Sequence, residues 1–392
     1  MRKYAGWNNR NATKTSAVFI SFIYLCTIAL LYRFVAEKMS ANSDHLVIMA
    51  GGVGSRFWPM STPQVPKQFV DVLGTGRTLI QMTMDRFRGL VPPQNVWVVT
   101  SKSYVDIVHE QLPDVPVENI LLEPCRRNTA PCIAYASWRI KKRNPQANII
   151  VSPSDHVVLD TQEFRRIIGE CTHFVNENDS IVVLGIKPTR PETGFGYIQT
   201  DESVPSSRNR NIYRVDRFRE KPDLQTAQSY IAQNCFYWNA GIFVWNVNTI
   251  VNALRIYAKE ISDIFESLLP VLGTEEEQAA IDEAYSACPA ISIDYAVMEK
   301  AEDIFCYPSD FGWSDMGTWG ALSESSSHDA NGNTLIGNVK AFDTRNCIVH
   351  TQNEKKVIIQ GLDGYIVAEC DNQLLICRLS EEQHIKDYIE EN

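Results

Sequence analysis

The residues with the clearest potential for chemistry lie in a glycine-rich loop with two cations close behind it. The apolar run Leu46–Met49 predicts a buried strand, and the glycines that follow it let backbone N–H groups approach a phosphate without a Cβ in the way. Open α/β sheets bind their ligands at the carboxyl ends of such strands, so the segment predicts a binding site for a nucleoside triphosphate. The candidate residues of this phosphate-binding site are Gly51, Gly52, Gly54, Ser55, Arg56 and Lys67.

Two common phosphate-binding patterns do not fit this loop. A dinucleotide-binding fingerprint requires a third small residue where Phe57 stands, and a P-loop requires Gly-Lys-Ser/Thr where Gly54 is followed by Ser-Arg. The letters GGxGxRxxP…PKQF instead resemble the signature of the sugar-1-phosphate nucleotidyltransferases, in the form typical of mannose-1-phosphate guanylyltransferases. Further motifs of that family follow in the same order along residues 39–322. The resemblance implies an enzyme that joins a nucleotide to a sugar 1-phosphate.

Two single aspartates could supply a metal site. Asp155, in Pro-Ser-Asp-His, directly follows an apolar strand and is expected at the carboxyl edge of the sheet, and Asp315 lies in Trp-Ser-Asp-Met-Gly-Thr-Trp. An isolated aspartate of this kind most often caps a helix or closes a turn. Both stretches match family motifs, however, and the resemblance implies that the two carboxylates bind Mg²⁺. It also implies that Arg56 and Lys67 are catalytic cations that neutralise charge on the triphosphate and on the departing pyrophosphate.

A third motif, Glu-Pro-Cys-Arg-Arg-Asn-Thr-Ala-Pro, joins a strand to a long helix. Asn128 or Thr129 could simply cap that helix. In the guanylyltransferase pattern this stretch lines the nucleotide pocket, which implies that Glu123, Asn128 and Thr129 bind the nucleotide and that the nucleotide is GTP. Which atom meets which edge of the base stays open.

Three further stretches point to a sugar phosphate. They read TGFGYI, FREKP and WNAGIF, and on their own they could be a hairpin turn, a surface ion pair and a loop. Their order and spacing match the family, which implies that Glu220 and Asn239 bind sugar hydroxyls and that Lys221 binds the phosphate of mannose 1-phosphate. The candidate substrate-binding residues are Gly196, Tyr197, Glu220, Lys221, Asn239 and Gly241.

The implied reaction joins mannose 1-phosphate and GTP to give GDP-mannose and pyrophosphate by direct in-line displacement. The attacking phosphate oxygen is already anionic at neutral pH, so no general base and no covalent nucleophile are required. Three alternatives stay open. They are a nucleotidyltransferase for another sugar 1-phosphate or nucleotide, a nucleotide-sugar glycosyltransferase, and a catalytically silent regulatory subunit. A glycosyltransferase usually has an Asp-x-Asp motif, and a silent subunit would have lost the cations and aspartates named above.

The elements that must position these residues alternate between strand and helix, which predicts βαβ units. Together with the resemblance, this predicts an open, mostly parallel Rossmann-like α/β sheet with helices on both faces in residues 39–328. Short strands separated by Asn, Gly and Asp turns predict a small β-rich, β-helix-like domain in residues 329–392. In the family such a tail packs on the catalytic domain or on a neighbouring subunit, so a homodimer is allowed. The predicted helices of the first domain are Leu79–Phe87, Tyr104–Gln111, Thr129–Arg143 and Glu163–Asn178.

Composition narrows the function classes. The net charge of −10, with no basic tract, argues against a nucleic-acid-binding protein. Ten cysteines without CxxC spacing are typical of reduced thiols in the cytoplasm, and the histidines show no metal-ligand grouping. The C-terminal region also lacks room for the isomerase domain of bifunctional relatives, so the sequence predicts a monofunctional enzyme.

The N-terminus conflicts with this chemistry. The uncharged apolar run Ala17–Tyr32 is shorter than the roughly 20 residues that span a membrane, and more cations precede it than directly follow it. By the positive-inside rule an anchor here would place the rest of the chain outside, away from nucleoside triphosphates. We therefore expect translation to start at Met39, residues 1–38 to be an upstream extension and the enzyme to be cytoplasmic. A membrane anchor is the alternative.

Overall fold

The computed structural model describes residues 44–52, 54–207, 209–352 and 355–390. The predictions for residues 1–38, including the apolar run 17–32, lie outside these residues. Within the part of the chain that is described, no helix is long and apolar enough to cross a membrane.

A mixed sheet carries the first part of the chain. The described strands of this part are β1 Asp44–Ala50, β2 Val96–Ser101, β3 Ile120–Glu123, β4 Asn148–Pro153, β5 Val157–Val158, β6 Ile181–Ile186, β7 Gly196–Pro205, β8 Tyr213–Glu220, β9 Phe236–Asn246, β10 Ile304–Ser309 and β11 Trp313–Ser314. Nine of them pair in the order β3-β2-β1-β4-β9-β6-β10-β8-β7, β7 also pairs with β9, and β5 and β11 form a separate pair. Strands β1 to β4 are parallel, whereas β9 runs antiparallel between β4 and β6.

Helices cover both faces of this sheet. Neighbouring residues of β1 point to opposite faces. Val47 packs with the helices that begin at Thr129, Val247 and Lys259. Leu46 and Ile48 pack with the helices that begin at Leu79, Val105 and Thr161. This arrangement confirms the predicted α/β class with two helical layers. The sheet is mixed rather than mostly parallel, because β7, β8 and β9 pair antiparallel with their neighbours. The helices are α1 Leu79–Phe87, α2 Val105–Gln111, α3 Thr129–Arg143, α4 Thr161–Glu177, α5 Leu224–Gln233, α6 Val247–Tyr257, α7 Lys259–Leu268, α8 Glu277–Tyr285, α9 Trp319–Glu324 and α10 Ile385–Glu390.

The start of α4 shows how capping decides a helix boundary. The sequence predicted a start at Glu163, but the helix begins two residues earlier. The Asp160 carboxylate accepts hydrogen bonds from the backbone N–H groups of Gln162 and Glu163, at 3.1 and 2.9 Å. An aspartate at this position satisfies N–H groups that have no partner inside the helix.

The C-terminal part stacks its strands in parallel coils, as a β-helix does. Strands β12, β14 and β16 pair in parallel with β17 antiparallel at the edge, and β13 pairs in parallel with β15. The strands are β12 Thr334–Ile336, β13 Asn338–Phe342, β14 Ile348–His350, β15 Lys356–Gln360, β16 Tyr365–Cys370 and β17 Gln373–Arg378. Gly337 separates β12 from β13, and its φ of 107° turns the backbone in a new direction between them.

An apolar cluster joins the β-helix coils to the part of the chain that holds the mixed sheet. Phe57, beside the glycine loop, and Trp319 of α9 pack in one buried cluster with Ile348, Ile366 and Ile385. Phe57 and Trp319 are in ring contact, with centroids 5.2 Å apart. This cluster holds the C-terminal coils next to the segment that carries the candidate phosphate-binding site.

Candidate active site

The glycine loop follows β1 as the sequence predicted, and its shape depends on a tight contact with Lys67. Gly54 has a φ of 59°, and a Cβ at this position would stand 2.4 Å from the Lys67 Cβ. Only glycine meets both conditions. The buried Gln68 side chain holds the other side of the loop, donating from Nε2 to the carbonyls of Ala50 and Gly52 at 3.2 and 2.8 Å. Gln68 was not among the predicted site residues, although it stands in the Pro-Lys-Gln-Phe motif.

Lys67 joins the two aspartate loops. Its ammonium lies 2.9 Å from Asp155 Oδ2 and donates to the carbonyls of Asp315 and Met316 at 3.0 and 2.8 Å. An ammonium has three N–H donors, so these contacts use all of them. The Lys67 side chain is only 5% exposed. Two segments far apart in the sequence therefore meet at one buried cation, which brings Asp155 and Asp315 to the same cleft.

The charges around Asp155 favour its ionised form. Burial would raise the pKa of this carboxyl group, but the Lys67 ammonium and the neighbouring His156 hold the pKa below its ordinary value. His156 is fixed by Trp313, whose indole N–H donates to Nδ1 at 3.2 Å. Asp155 is therefore a carboxylate at neutral pH, and its side chain is still about one-third exposed to the cleft.

Asp315 stands in a tight turn, with its carboxylate against the backbone of Gly317. The Gly317 N–H donates to Asp315 Oδ1 at 3.1 Å, and a Cβ on Gly317 would stand 2.5 Å from Oδ2. Together with Arg56 and the residues described above, this turn lines a cleft of about 510 Å³. The residues that line the cleft are Gly54, Arg56, Phe57, Lys67, Asp155, His156, Asp315, Gly317, Gln383, Lys386 and Asp387.

Glu123 lies beside the other end of the glycine loop. Its Oε1 accepts a hydrogen bond from the Tyr285 hydroxyl, and a Cβ on Gly51 would lie 3.2 Å from Oε2. Burial raises the pKa of Glu123 to about 7, because the ionised form loses its hydration. Glu123 ends β3, and the glycine loop follows β1. Because these strands are parallel, the structure brings Glu123 and the candidate phosphate-binding site to the same edge of the sheet.

The side chains of Asn128 and Thr129 are engaged in local structure. Asn128, with a φ of 67°, accepts the Thr129 N–H on its side-chain oxygen at 2.9 Å at the start of α3. The Thr129 hydroxyl accepts the Ile293 N–H at 2.9 Å. The Asn128 contact corresponds to the capping alternative left open by the sequence, whereas the Thr129 contact joins the start of α3 to the segment that carries Ile293.

A second cluster gathers the residues predicted for the sugar. Glu220 is buried, and a Cβ on Gly196 would lie 2.5 Å from its Oε2 and 3.1 Å from the Cβ of Asn239. Asn239 donates from Nδ2 to Asp294 Oδ1 at 2.9 Å, and its Oδ1 accepts the Gly241 N–H at 2.9 Å. Burial, helped by the nearby Asp294 carboxylate, raises the pKa of Glu220 to about 7. Asp294 was missed by the sequence reasoning because its segment, SIDYAVMEK, carried no pattern beyond a helical one.

The remaining predicted sugar residues take different positions. Lys221 is more than half exposed, and its ammonium lies 3.3 Å from Glu220 Oε1. Gly241 lies against the turn that carries Asp155, since a Cβ there would meet Pro153 at 3.3 Å. The Tyr197 ring packs in an apolar cluster with Tyr230, and its hydroxyl donates to the backbone carbonyl of Glu192. The Tyr197 side chain is therefore part of the core.

Comparison with known proteins places this site in a family. A family model described as nucleotidyl transferase matches residues 45–332, and one described as a MannoseP isomerase/GMP-like beta-helix domain matches residues 337–391. The mannose-1-phosphate guanylyltransferase of Escherichia coli K12 is 36% identical over 358 residues, which cover 90% of this chain and 74% of the relative. The chain belongs to the mannose-1-phosphate guanylyltransferase family. This confirms the predicted family and enzyme class.

Two further relatives agree with this membership. The alginate biosynthesis protein AlgA of Pseudomonas putida is 36% identical, over 88% of this chain and 70% of its own length. A crystal structure from Thermus thermophilus, named mannose-1-phosphate geranyltransferase, is similar with a TM-score of 0.79 at 30% identity. It covers 89% of this chain and 98% of its own. The similarity thus extends through both the sheet and the β-helix coils, which confirms the predicted fold class.

Proposed function

We propose that this enzyme transfers GMP from GTP to mannose 1-phosphate, giving GDP-mannose and pyrophosphate. The observation that carries the proposal is the meeting of Asp155 and Asp315 at Lys67, beside the glycine loop. A nucleotidyl transfer needs such a site, where carboxylates and cations face the same phosphates. The activity named for the Escherichia coli relative supports the choice of substrates.

The two aspartates suit a divalent cation. Mg²⁺ prefers oxygen ligands and usually binds one or two carboxylates together with substrate phosphates and waters. Asp155 is ionised and partly exposed, and Asp315 is oriented by the Gly317 N–H. In the described residues no third His, Cys, Asp or Glu joins them as a metal-binding group. Asp155 and Asp315 would thus hold a Mg²⁺ that, when bound, neutralises charge on the phosphate oxygens.

The protein's own groups would align the reaction. An anionic phosphate oxygen of mannose 1-phosphate attacks the α-phosphorus of GTP, a new P–O bond forms, and the bond to the β-phosphate oxygen breaks to release pyrophosphate. Backbone N–H groups of the glycine loop and the exposed Arg56 would bind the triphosphate. Lys67, which is buried and fully hydrogen-bonded, would act as a positioning residue that keeps Asp155 and Asp315 in register.

The buried acidic cluster would bind the sugar. Among the described residues, Glu220 Oε2 is a buried oxygen with no hydrogen-bond partner, and a sugar hydroxyl could supply one. Asn239, held by Asp294, stands beside it, and the exposed Lys221 ammonium suits the sugar phosphate. We further propose that the enzyme works in the cytoplasm, where GTP is available.

The fate of isotopic label tests this proposal. The enzyme is incubated with mannose 1-phosphate and Mg²⁺ together with GTP labelled either on the α-phosphate or on the γ-phosphate. We expect the α-label in GDP-mannose and the γ-label in pyrophosphate. A γ-label found on the sugar, or as free orthophosphate, would indicate phosphoryl transfer or hydrolysis and would contradict guanylyl transfer.

A further inference from the structure

The C-terminal segment of the β-helix part reaches the candidate active site. After β17 the chain turns through a 3₁₀ helix, Leu379–His384, directly into α10. Ile385, at the junction, is fully buried in the cluster that contains Phe57 and Trp319. The Glu382 carboxylate accepts the Gly320 N–H of α9 at 2.9 Å. An apolar anchor and a charged hydrogen bond therefore hold this segment against the turn that carries Asp315.

This anchoring turns one face of the segment toward the cleft. Gln383, Lys386 and Asp387 are spaced three and four residues apart, so they lie on one helical face, and all three line the cleft together with Gly54 and Arg56. They are exposed, unlike the neighbouring Ile385. Polar side chains from the β-helix part thus form a wall of a site whose other walls come from the catalytic sheet.

The described part of the cleft has cationic side chains from both the mixed sheet and the β-helix part. Lys67 spends its three N–H donors on Asp155 and on two backbone carbonyls. Among the described residues that line the cleft, the other two cationic side chains are Arg56, on the glycine loop, and Lys386. A nucleoside triphosphate carries most of its charge on the β- and γ-phosphates, which must be stabilised as they leave as pyrophosphate.

We propose that Lys386 binds the β- and γ-phosphates of the nucleotide, so that the β-helix part completes the active site. This inference rests on the proposed function of the cleft. Lys386 lines the same cleft as Arg56, and the anchoring of Ile385 and Glu382 sets the position of its helix. A lysine suits this role because its ammonium acts as a mobile point charge toward phosphate oxygens.

Binding of GTP, GMP and inorganic pyrophosphate to Lys386→Met tests the proposal. The affinities are measured by equilibrium dialysis with Mg²⁺ and without mannose 1-phosphate, on the full chain. We expect about a fivefold to tenfold loss for GTP and pyrophosphate, in the range of a partly exposed charge contact, and less than a twofold change for GMP. Lys386→Arg should keep most of the affinity. Lys356→Met is the matched control, since Lys356 is an exposed lysine of β15 outside the cleft.

Two outcomes would overturn the inference. One is unchanged binding of GTP and pyrophosphate, and the other is an equal loss for GTP and GMP, which would mean that the pocket as a whole is disturbed. A wild-type enzyme that makes no GDP-mannose in the labelling experiment would contradict the proposed function instead. The failure of the proposed function and the failure of this inference are therefore distinguishable.

Discussion

Lys67→Met removes the cation that joins the two aspartate loops while keeping a long apolar side chain. The Met316 carbonyl then loses a buried hydrogen bond and the Asp315 carbonyl a partly buried one. An unsatisfied buried group costs about 1–3 kcal/mol, and Asp155 adds little because its side chain is about one-third exposed and water can replace the ammonium. We expect a loss of about 2–4 kcal/mol in the free energy of unfolding.

The assay combines unfolding with kinetics. For a chain of this size the loss corresponds to a melting temperature lower by about 2–5 °C. Turnover, measured well below that temperature, should fall at least about a hundredfold, because both aspartates lose their register and each 1.36 kcal/mol of barrier is a factor of ten. Lys259→Met is the control: it removes an exposed ion pair with Asp263 and should cost under about 1 kcal/mol with no loss of activity.

The reasoning about Lys67 would be refuted by a Lys67→Met variant with wild-type stability and turnover within tenfold of wild type. A variant that is destabilised but fully active would show that the two loops hold their positions without the ammonium. Either result would contradict the role of Lys67 as a positioning residue.

Three further predictions follow from the charged groups of the site. Asp155→Asn and Asp315→Asn should each lower turnover at least about a hundredfold at saturating Mg²⁺ with the fold intact, and retention of more than about a tenth of the rate would contradict their assignment. Glu220→Gln should raise the KM for mannose 1-phosphate about tenfold or more and leave the KM for GTP within about twofold, whereas equal changes in both would contradict a sugar contact. Glu123→Gln should stabilise the protein at pH 8 by on the order of 3 kcal/mol and change little at pH 5. The sign follows from the raised pKa of Glu123: its contribution to stability is present below about pH 4.5 and is lost as the pH rises through about 7, since the buried carboxyl group must then ionise. Equal melting temperatures of wild type and variant at pH 8, from thermal unfolding, would argue against a buried carboxyl group with a raised pKa.

The parts of the site that lie at strand ends could be predicted from the sequence. An apolar run marks β1 or β4, and the carboxyl ends of parallel strands meet at one edge, so the glycine loop and Asp155 were expected near each other. Local signals of this kind depend only on residues that are neighbours in the sequence. The match of α3 to its predicted bounds, Thr129–Arg143, has the same origin.

Contacts between distant segments could not be predicted in this way. The contact of Lys67 with the Met316 carbonyl spans 249 residues, and no periodicity encodes it. The position of α10 depends on how the β-helix coils dock, so no local pattern placed Lys386 in the cleft. Nor could alternation decide whether Glu220 forms a surface ion pair, because only the folded chain buries Glu220 and brings the Asp294 carboxylate near it.

Guanylyl transfer to mannose 1-phosphate is tested most sharply by pyrophosphate release over a matrix of substrates. The wild-type enzyme is assayed with GTP, ATP, UTP, CTP and dTTP, each combined with mannose, glucose or galactose 1-phosphate. We predict the highest kcat/KM for GTP with mannose 1-phosphate, with loss of activity when Mg²⁺ is chelated. A higher kcat/KM for another pair, or pyrophosphate release that does not depend on a sugar 1-phosphate, would contradict the assignment.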